Sequence, residues 1–295
     1  MLIPALVMAL AVNSRIALPA KSTAAPAAAG SDARKDVIAA ERGFAAYTHS
    51  HGYTQGFFTW SAPDAVVFHP QALRIHEALG DKLKADPSAA NGTSALNWSP
   101  YRVETAASND LAFDLGTWTM DGSKQAGWFF TVWKKQKGGK WLWTLDSGAG
   151  TADPNTLPAT PLAAEPKPVH EKDAEAKTST ATLDASVNKM LSAGSAADTL
   201  TGGKYGMLDP QAVVLSGDAP PANTPDEITT ALKTRPNGAT WTADGGDVAA
   251  SGDFAYTYGH VAAADGTYLG HYVRVWVKRS KDWTILVDLY GASGT

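Results

Sequence analysis

The chain has 295 residues, of which 44% are hydrophobic and 18% are charged, and its formal net charge is −4. This length and composition are typical of a globular protein with two domains. The charge balance offers no basic surface for nucleic acid, and the absence of cysteine excludes disulfides, thiolate catalysis and cysteine-ligated zinc.

The N-terminal segment, residues 1–30, is predicted to be a signal peptide followed by an Ala-rich tail. Residues 2–12 form an apolar run that is too short to cross a membrane and suits the central region of a signal peptide. The small residues Ala27, Ala28 and Ala29 offer a cleavage site. The expected location is therefore periplasmic or secreted, without membrane attachment after cleavage. The absence of Lys or Arg before the apolar run leaves a disordered tail as the alternative.

Residues 31–150 predict a first domain of class α+β. Apolar residues recur at helical spacing from about Asp36, a strand covers residues 65–68, and strands dominate after residue 98. Pro100 predicts an edge or bulged strand, because proline cannot donate a hydrogen bond to a neighbouring strand. Helices before a run of antiparallel strands indicate helices packed on one face of a sheet. The predicted elements are helices at 53–60 and 75–85 and strands at 98–105, 111–120 and in the hairpin 127–146.

The second half of the chain repeats this order after a Pro-rich linker at residues 151–180. Residues 181–295 predict a second domain, with a helix at 183–193 and a strand at 212–215. The segment Thr224-Pro225-Asp226-Glu227 predicts a helix start, because Thr caps the helix, Pro suits its first position and Glu three residues later completes a capping box.

The two halves align at a constant spacing, which predicts a tandem duplication. The segment AASNDLAF from Ala106 matches AASGDFAY from Ala249, 143 positions later, and the same spacing relates Trp133 to Trp276. We expect the two repeats to fold independently and the two halves to pack sheet to sheet as an intramolecular pseudo-dimer.

The motifs DAVVF at residues 64–68, AASNDLAF at 106–113 and TVWKKQKGGKWLWTLDSG at 131–148 are similar to those of the nuclear transport factor 2-like superfamily, in its SnoaL-like or ketosteroid-isomerase-like branch. The resemblance implies two tandem cone-shaped domains, each a strongly curved antiparallel sheet packed on N-terminal helices around a cavity. The superfamily includes isomerases, dehydratases, cyclases, ligand binders and docking domains, so the fold alone does not assign a function.

Asp146 and His69 are the catalytic residues that we hypothesise, because carboxylates and imidazoles in apolar surroundings perform proton transfer. Asp146 ends the last strand of the first repeat, where strict alternation would place it with Leu142 and Thr144 on one face. The alternative for Asp146 is a strand-end cap, and that for His69 is a surface position. We assign the working pocket to the first repeat.

Aromatic and polar side chains on the strands complete the predicted binding residues. Their alternative role is packing in the core, which is more common for aromatic residues on a small sheet. We predict no metal site and no cofactor, and the expected partner is a small apolar ligand. The functions left open are ligand binding, an isomerase or dehydratase reaction, and protein interaction. The predicted binding residues are Trp60, Trp98, Trp118, Trp128, Tyr258, His260, His271 and Asp288.

Overall fold

The structure is a computed structural model that describes residues 32–90, 92–151, 180–202, 207–217, 219–279 and 282–293. The predicted signal peptide lies outside the described residues, as does nearly all of the predicted linker. Of the helices that the structure describes, none combines the length and apolar character needed to cross a membrane.

The first unit, residues 32–151, packs helices on a six-stranded sheet with the order β2-β1-β6-β5-β4-β3. The α+β class predicted from the sequence is confirmed. The sheet is mixed, because β1 runs parallel to β6 while the other pairs are antiparallel. The elements are α1 (Ala33–His51), α2 (Tyr53–Trp60), β1 (Ser61–Phe68), β2 (Ala72–Arg74), α3 (Ile75–Ala85), a 3₁₀ turn (Pro87–Ala90), β3 (Leu96–Thr105), β4 (Leu111–Met120), β5 (Ala126–Lys135) and β6 (Trp141–Thr151).

The second unit, residues 180–293, repeats this arrangement with a five-stranded sheet in the order β7-β11-β10-β9-β8. Its parallel pair joins β7 to β11, in the position of the β1–β6 pair. The helix α5 was not predicted, because six residues are too few to show a helical period. The elements are α4 (Thr180–Ala193), α5 (Ala196–Thr201), β7 (Leu208–Ser216), α6 (Pro225–Lys233), β8 (Thr240–Val248), β9 (Phe254–Ala262), β10 (Tyr268–Lys278) and β11 (Trp283–Ala292).

Three apolar cores follow from these layers. One core lies between the helices and sheet of the first unit and includes Phe44, Trp133 and Trp143, and a second lies in the same place in the second unit. The third core joins the two units, since it contains Phe113 and Phe130 from the first sheet together with residues of the second. Residues from the second sheet in this shared core include Phe254, Val273, Val275, Val287 and Leu289.

A β-bulge near the middle of β6 changes which side chains face the helices. Val132 pairs with Leu145 and Trp133 with Trp143, so Thr144 is the extra residue on β6. Trp143 therefore lies in the helix-side core while Leu145 lies in the shared core. Strict alternation would place these two residues on one face of the sheet, and the bulge interrupts that alternation.

Matching hydrogen bonds relate the two units at the turns that precede β4 and β9. The Ser108 amide donates to the Ser251 hydroxyl at 3.1 Å, and the Ser251 amide donates to the Ser108 hydroxyl at the same distance. The Ala107 amide donates to Asp253 at 3.1 Å, and the Ala250 amide donates to Asp110 at 3.0 Å. Such reciprocal contacts are those of a two-fold interface.

Candidate functional site

A cavity of about 270 Å³ opens between the helices and the sheet of the first unit. Its walls are mainly aromatic, and Asp146 is the ionisable carboxyl group among them. Apolar cavities with a few polar groups are the usual form of small-molecule sites. The residues that line the cavity are Phe44, Tyr53, Phe57, Leu96, Trp98, Trp118, Met120, Trp128, Phe129, Asp146, Ser147 and Gly148.

Asp146 reaches this cavity because the bulge at Thr144 turns it toward the helices. Across the strand pair it lies opposite Thr131, whose hydroxyl donates to Asp146 Oδ2 at 2.8 Å. Burial raises the pKa of Asp146 to about 7, the nearby Glu41 carboxyl acts in the same direction, and the Thr131 hydrogen bond opposes both. Asp146 is therefore a group that exchanges a proton near neutral pH.

Two further carboxyl groups lie behind the cavity wall. Glu41 on α1 is fully buried and accepts hydrogen bonds from the indole N–H groups of Trp133, at 3.0 Å, and of Trp98. Burial raises the pKa of Asp114 well above its usual value, and the adjacent Glu41 charge adds to this rise. Both Asp114 oxygens lack a hydrogen-bond donor within the described part of the chain. The raised pKa of Asp114 favours its protonated form beside Glu41.

The second unit has a different set of side chains at the same places in the sheet. Asp114, Thr131 and Asp146 lie in one row across β4, β5 and β6. The corresponding row across β9, β10 and β11 is Thr257, Arg274 and Asp288. The second unit thus places an arginine where the first has a threonine.

Arg274 neutralises the buried acids of the second unit. Its guanidinium group donates to Asp184 at 2.6 Å and to Asn188 at 2.8 Å, and it lies over the ring of Tyr272. Asp288 is fully buried and accepts a hydrogen bond from Arg235 at 2.9 Å. This interior is consequently a charge-paired network rather than an open cluster of acids.

Three of the four predicted tryptophans line the cavity. Trp98 and Trp118 are cross-strand neighbours on β3 and β4, and Trp128 lies on β5 with its ring buried in the shared core. Trp60 lies outside the lining residues and packs near Phe44 in the helix-side core.

The structure does not bring His69 to Asp146. His69 follows β1, is exposed, and is not among the residues that line the cavity. Its predicted role as a catalytic partner of Asp146 therefore has no geometric support.

Three of the predicted residues of the second unit lie in two places outside the cavity of the first unit. Tyr258 packs near Phe68 of the first unit, and His271 stacks on the same Phe68 ring at 3.9 Å. The Ser147 hydroxyl lies 3.0 Å from His271 Nε2, and burial lowers the pKa of His271 to about 4, so this contact between units is uncharged at neutral pH. His260 bonds Asp244 at 2.9 Å beside a second cavity of about 420 Å³.

Sequence reasoning missed Glu41, Asp114, Thr131 and Arg274. The constant spacing of the repeats carried a signal for them, since it aligns Glu41 with Asp184 and Thr131 with Arg274. In the described part of the chain, no group of three or more His, Cys, Asp or Glu residues is arranged to hold a metal ion.

No protein-family model and no curated protein matches the sequence. Among solved structures, the chain is similar to a protein of unknown function from the DUF3225 family of Pectobacterium atrosepticum SCRI1043, with 21% identity, a TM-score of 0.31 and coverage of 41% of this chain and 93% of the other.

A second similar structure is an NTF-2 like protein of unknown function from Shewanella oneidensis MR-1, with 17% identity, a TM-score of 0.30 and coverage of 39% and 96%. A third is a ketosteroid isomerase-like protein from Erwinia carotovora atroseptica SCRI1043, with 13% identity, a TM-score of 0.31 and coverage of 41% and 98%. The similarity to these structures assigns no activity to this chain.

Proposed function

We propose that the first unit binds a small molecule with an apolar body in its cavity and that Asp146 orients it. The observation that carries this proposal is a single partly exposed carboxyl group in an aromatic cavity of about 270 Å³. A cavity of this kind provides both the apolar surface that drives binding and one polar group that fixes orientation.

We also propose that the chain contains two tandem copies of one nuclear transport factor 2-like fold, of which the first holds the site. In support, five strands of the first sheet pair in the same order as the five strands of the second, the first sheet adding β2 at its edge, and both sheets carry a bulge at the same place. The second unit has Tyr290 in β11 where the first has the cavity-lining Gly148 in β6. Tyr290 packs 5.8 Å from the ring of Trp241 inside the second unit.

Filling the cavity tests the binding proposal. Leu96 lines the cavity, so Leu96→Trp should occupy its space and abolish binding of neutral aromatic fragments such as benzyl alcohol, measured by ligand-observed NMR. The matched control is Leu73→Trp, at a leucine that is 39% exposed and lies outside the cavity. Equal binding by the two variants, or no binding by the wild-type chain, would contradict the proposal.

Proton transfer is a second function, favoured by the pKa of about 7 at Asp146. A base whose pKa lies near the working pH is most effective in general acid–base catalysis. We expect the wild-type chain to accelerate conversion of 3-cyclohexenone to the conjugated ketone, followed by ultraviolet absorbance, with a rate that increases as pH passes through 7. Asp146→Asn should abolish this rate. A rate that persists in Asp146→Asn would show that the reaction occurs elsewhere.

A further inference from the structure

The interior of the second unit holds an organic cation that belongs to the chain itself, the guanidinium group of Arg274. It is fully buried and donates to Asp184 at 2.6 Å. Its carbon lies 4.2 Å from the ring centre of Tyr272 and 5.7 Å from that of Trp241. Carboxylate on one side and aromatic rings around it are the surroundings in which proteins hold a desolvated cation.

The first unit keeps the two acids and the edge-strand aromatic ring near this cation, has Ala45 in place of Asn188, and lacks the cation. Glu41 stands in α1 where α4 has Asp184, and Asp146 stands opposite Thr131 as Asp288 stands opposite Arg274. The aromatic residue of the edge strand is also kept, since Trp98 and Trp241 share the 143-residue spacing. The threonine at position 131 supplies a hydroxyl group and no charge.

The space beside Asp146 is open to a ligand. Thr131 donates to Asp146 Oδ2, whereas Oδ1 accepts no hydrogen bond from any residue that the structure describes. The cavity lining contains no Lys, Arg or His side chain that could neutralise the acid. The faces of the rings of Trp98 and Trp118 carry negative potential and attract cations.

We infer that the first unit binds a small organic cation, an amine or guanidine with an aromatic or aliphatic body, whose charged group pairs with Asp146 as Arg274 pairs with the acids of the second unit. This inference rests on the proposed function, because it names the class of molecule that the cavity takes. The apolar body of the ligand lies among the aromatic walls. Its cationic group supplies the positive charge that Arg274 supplies in the second unit.

The charge state of Asp146 gives the binding a pH dependence. Asp146 faces Glu41 from α1, Asp114 from β4 and Tyr53 from α2, and none of these groups is cationic. The ionised fraction of Asp146 increases between pH 5.5 and pH 8, since burial raises its pKa to about 7. A cation prefers the ionised acid, so its affinity increases over this range and its binding below pH 7 releases a proton.

Calorimetric titration of the full chain with benzylguanidine and with benzylurea tests the inference. The two probes have the same shape, and only the guanidine is charged. At pH 8 we expect benzylguanidine to bind about tenfold more tightly or better, the difference that one charge-assisted hydrogen bond provides. This preference should disappear at pH 5.5 and in Asp146→Asn, and it should persist in the surface control Asp121→Asn.

The outcomes distinguish failure of the cation assignment from failure of the proposed binding function. Equal affinity for both probes would overturn the cation assignment and leave the proposed binding function in place. Binding of neither probe would overturn both. A preference for the guanidine that survives in Asp146→Asn places the cation elsewhere and overturns the inference. If Asp146→Asn does not fold, the pH dependence of the wild-type preference decides the question.

Discussion

At the scale of single residues, position 131 and its counterpart 274 differ in charge, so a cation lies beside the buried carboxyl groups only in the second unit. With threonine at 131, desolvation raises the pKa of Asp146, Asp114 and Glu41 together, because no cation offsets the burial of these carboxyl groups. With arginine at 274, the acids are ion-paired inside the second unit. The threonine-to-arginine difference on the central strand, together with Thr257 in place of Asp114 and the Arg235 that pairs with Asp288, separates a proton-exchanging site from a structural network.

The raised pKa of Asp146 predicts that this group makes stability decrease with increasing pH. The folded chain holds the Asp146 proton to about pH 7, whereas the unfolded chain loses it near pH 4, so the stabilisation is complete below pH 4 and is lost as pH rises through 7. The difference in unfolding free energy between wild type and Asp146→Asn should change by up to about 1.4 kcal/mol per pH unit in this range.

Urea denaturation at pH 5, 6, 7 and 8 measures this difference. Asp121→Asn, at an exposed turn residue, is the control and should follow the wild-type chain at every pH. Glu41 and Asp114 titrate in the same direction and are present in both proteins, so their contribution cancels to first order. A difference between wild type and Asp146→Asn that stays constant with pH would show that the Asp146 pKa is not raised.

At the scale of elements, local patterns predicted most of the helices and strands. The capping box at Thr224 forms as its residue spacing indicates, with the Glu227 amide donating to the Thr224 hydroxyl at the start of α6. Pro100 lies on the edge strand β3 beside a shift in register. These features depend on a few adjacent residues, so a sequence contains enough information to locate them.

The bulges in β6 and β11 were not predictable in the same way. Thr144 and Leu286 are the extra residues, and neither is a glycine or a proline that would mark a bulge in the sequence. The bulge turns Asp146 to the helix side, so the predicted position of Asp146 in the cavity depended on a feature that the alternation pattern does not show. The parallel pairing of β1 with β6 is also a long-range contact, because some 80 residues separate the paired positions Ser61 and Trp143.

At the scale of the whole molecule, the shared core makes the two units depend on each other. Alternation along β4 and β5 showed which residues share a face but not which face meets the helices. Phe113, Leu115 and Phe130 are fully buried against the second unit, and separation would expose them together with Val273 and Val275. Burial of a side chain of this size contributes about 1.5–3 kcal/mol to the free energy of unfolding, so exposing these faces would destabilise each unit.

The last prediction concerns the two halves of the chain expressed apart, as residues 31–150 and 181–295. The shared core replaces the expectation from the sequence that the repeats fold independently, because each half alone would expose one face of it. We therefore expect the separate halves to self-associate or to unfold without a cooperative transition, and to form a one-to-one complex when mixed. Sedimentation velocity of each half and of the mixture measures this. In the mixture, Leu115→Asp should prevent the complex, since it places a charge in the shared core, whereas Lys137→Asp in the exposed turn between β5 and β6 should not. Two monomeric halves that each unfold cooperatively and do not associate in the mixture would show that the shared core contributes little to folding.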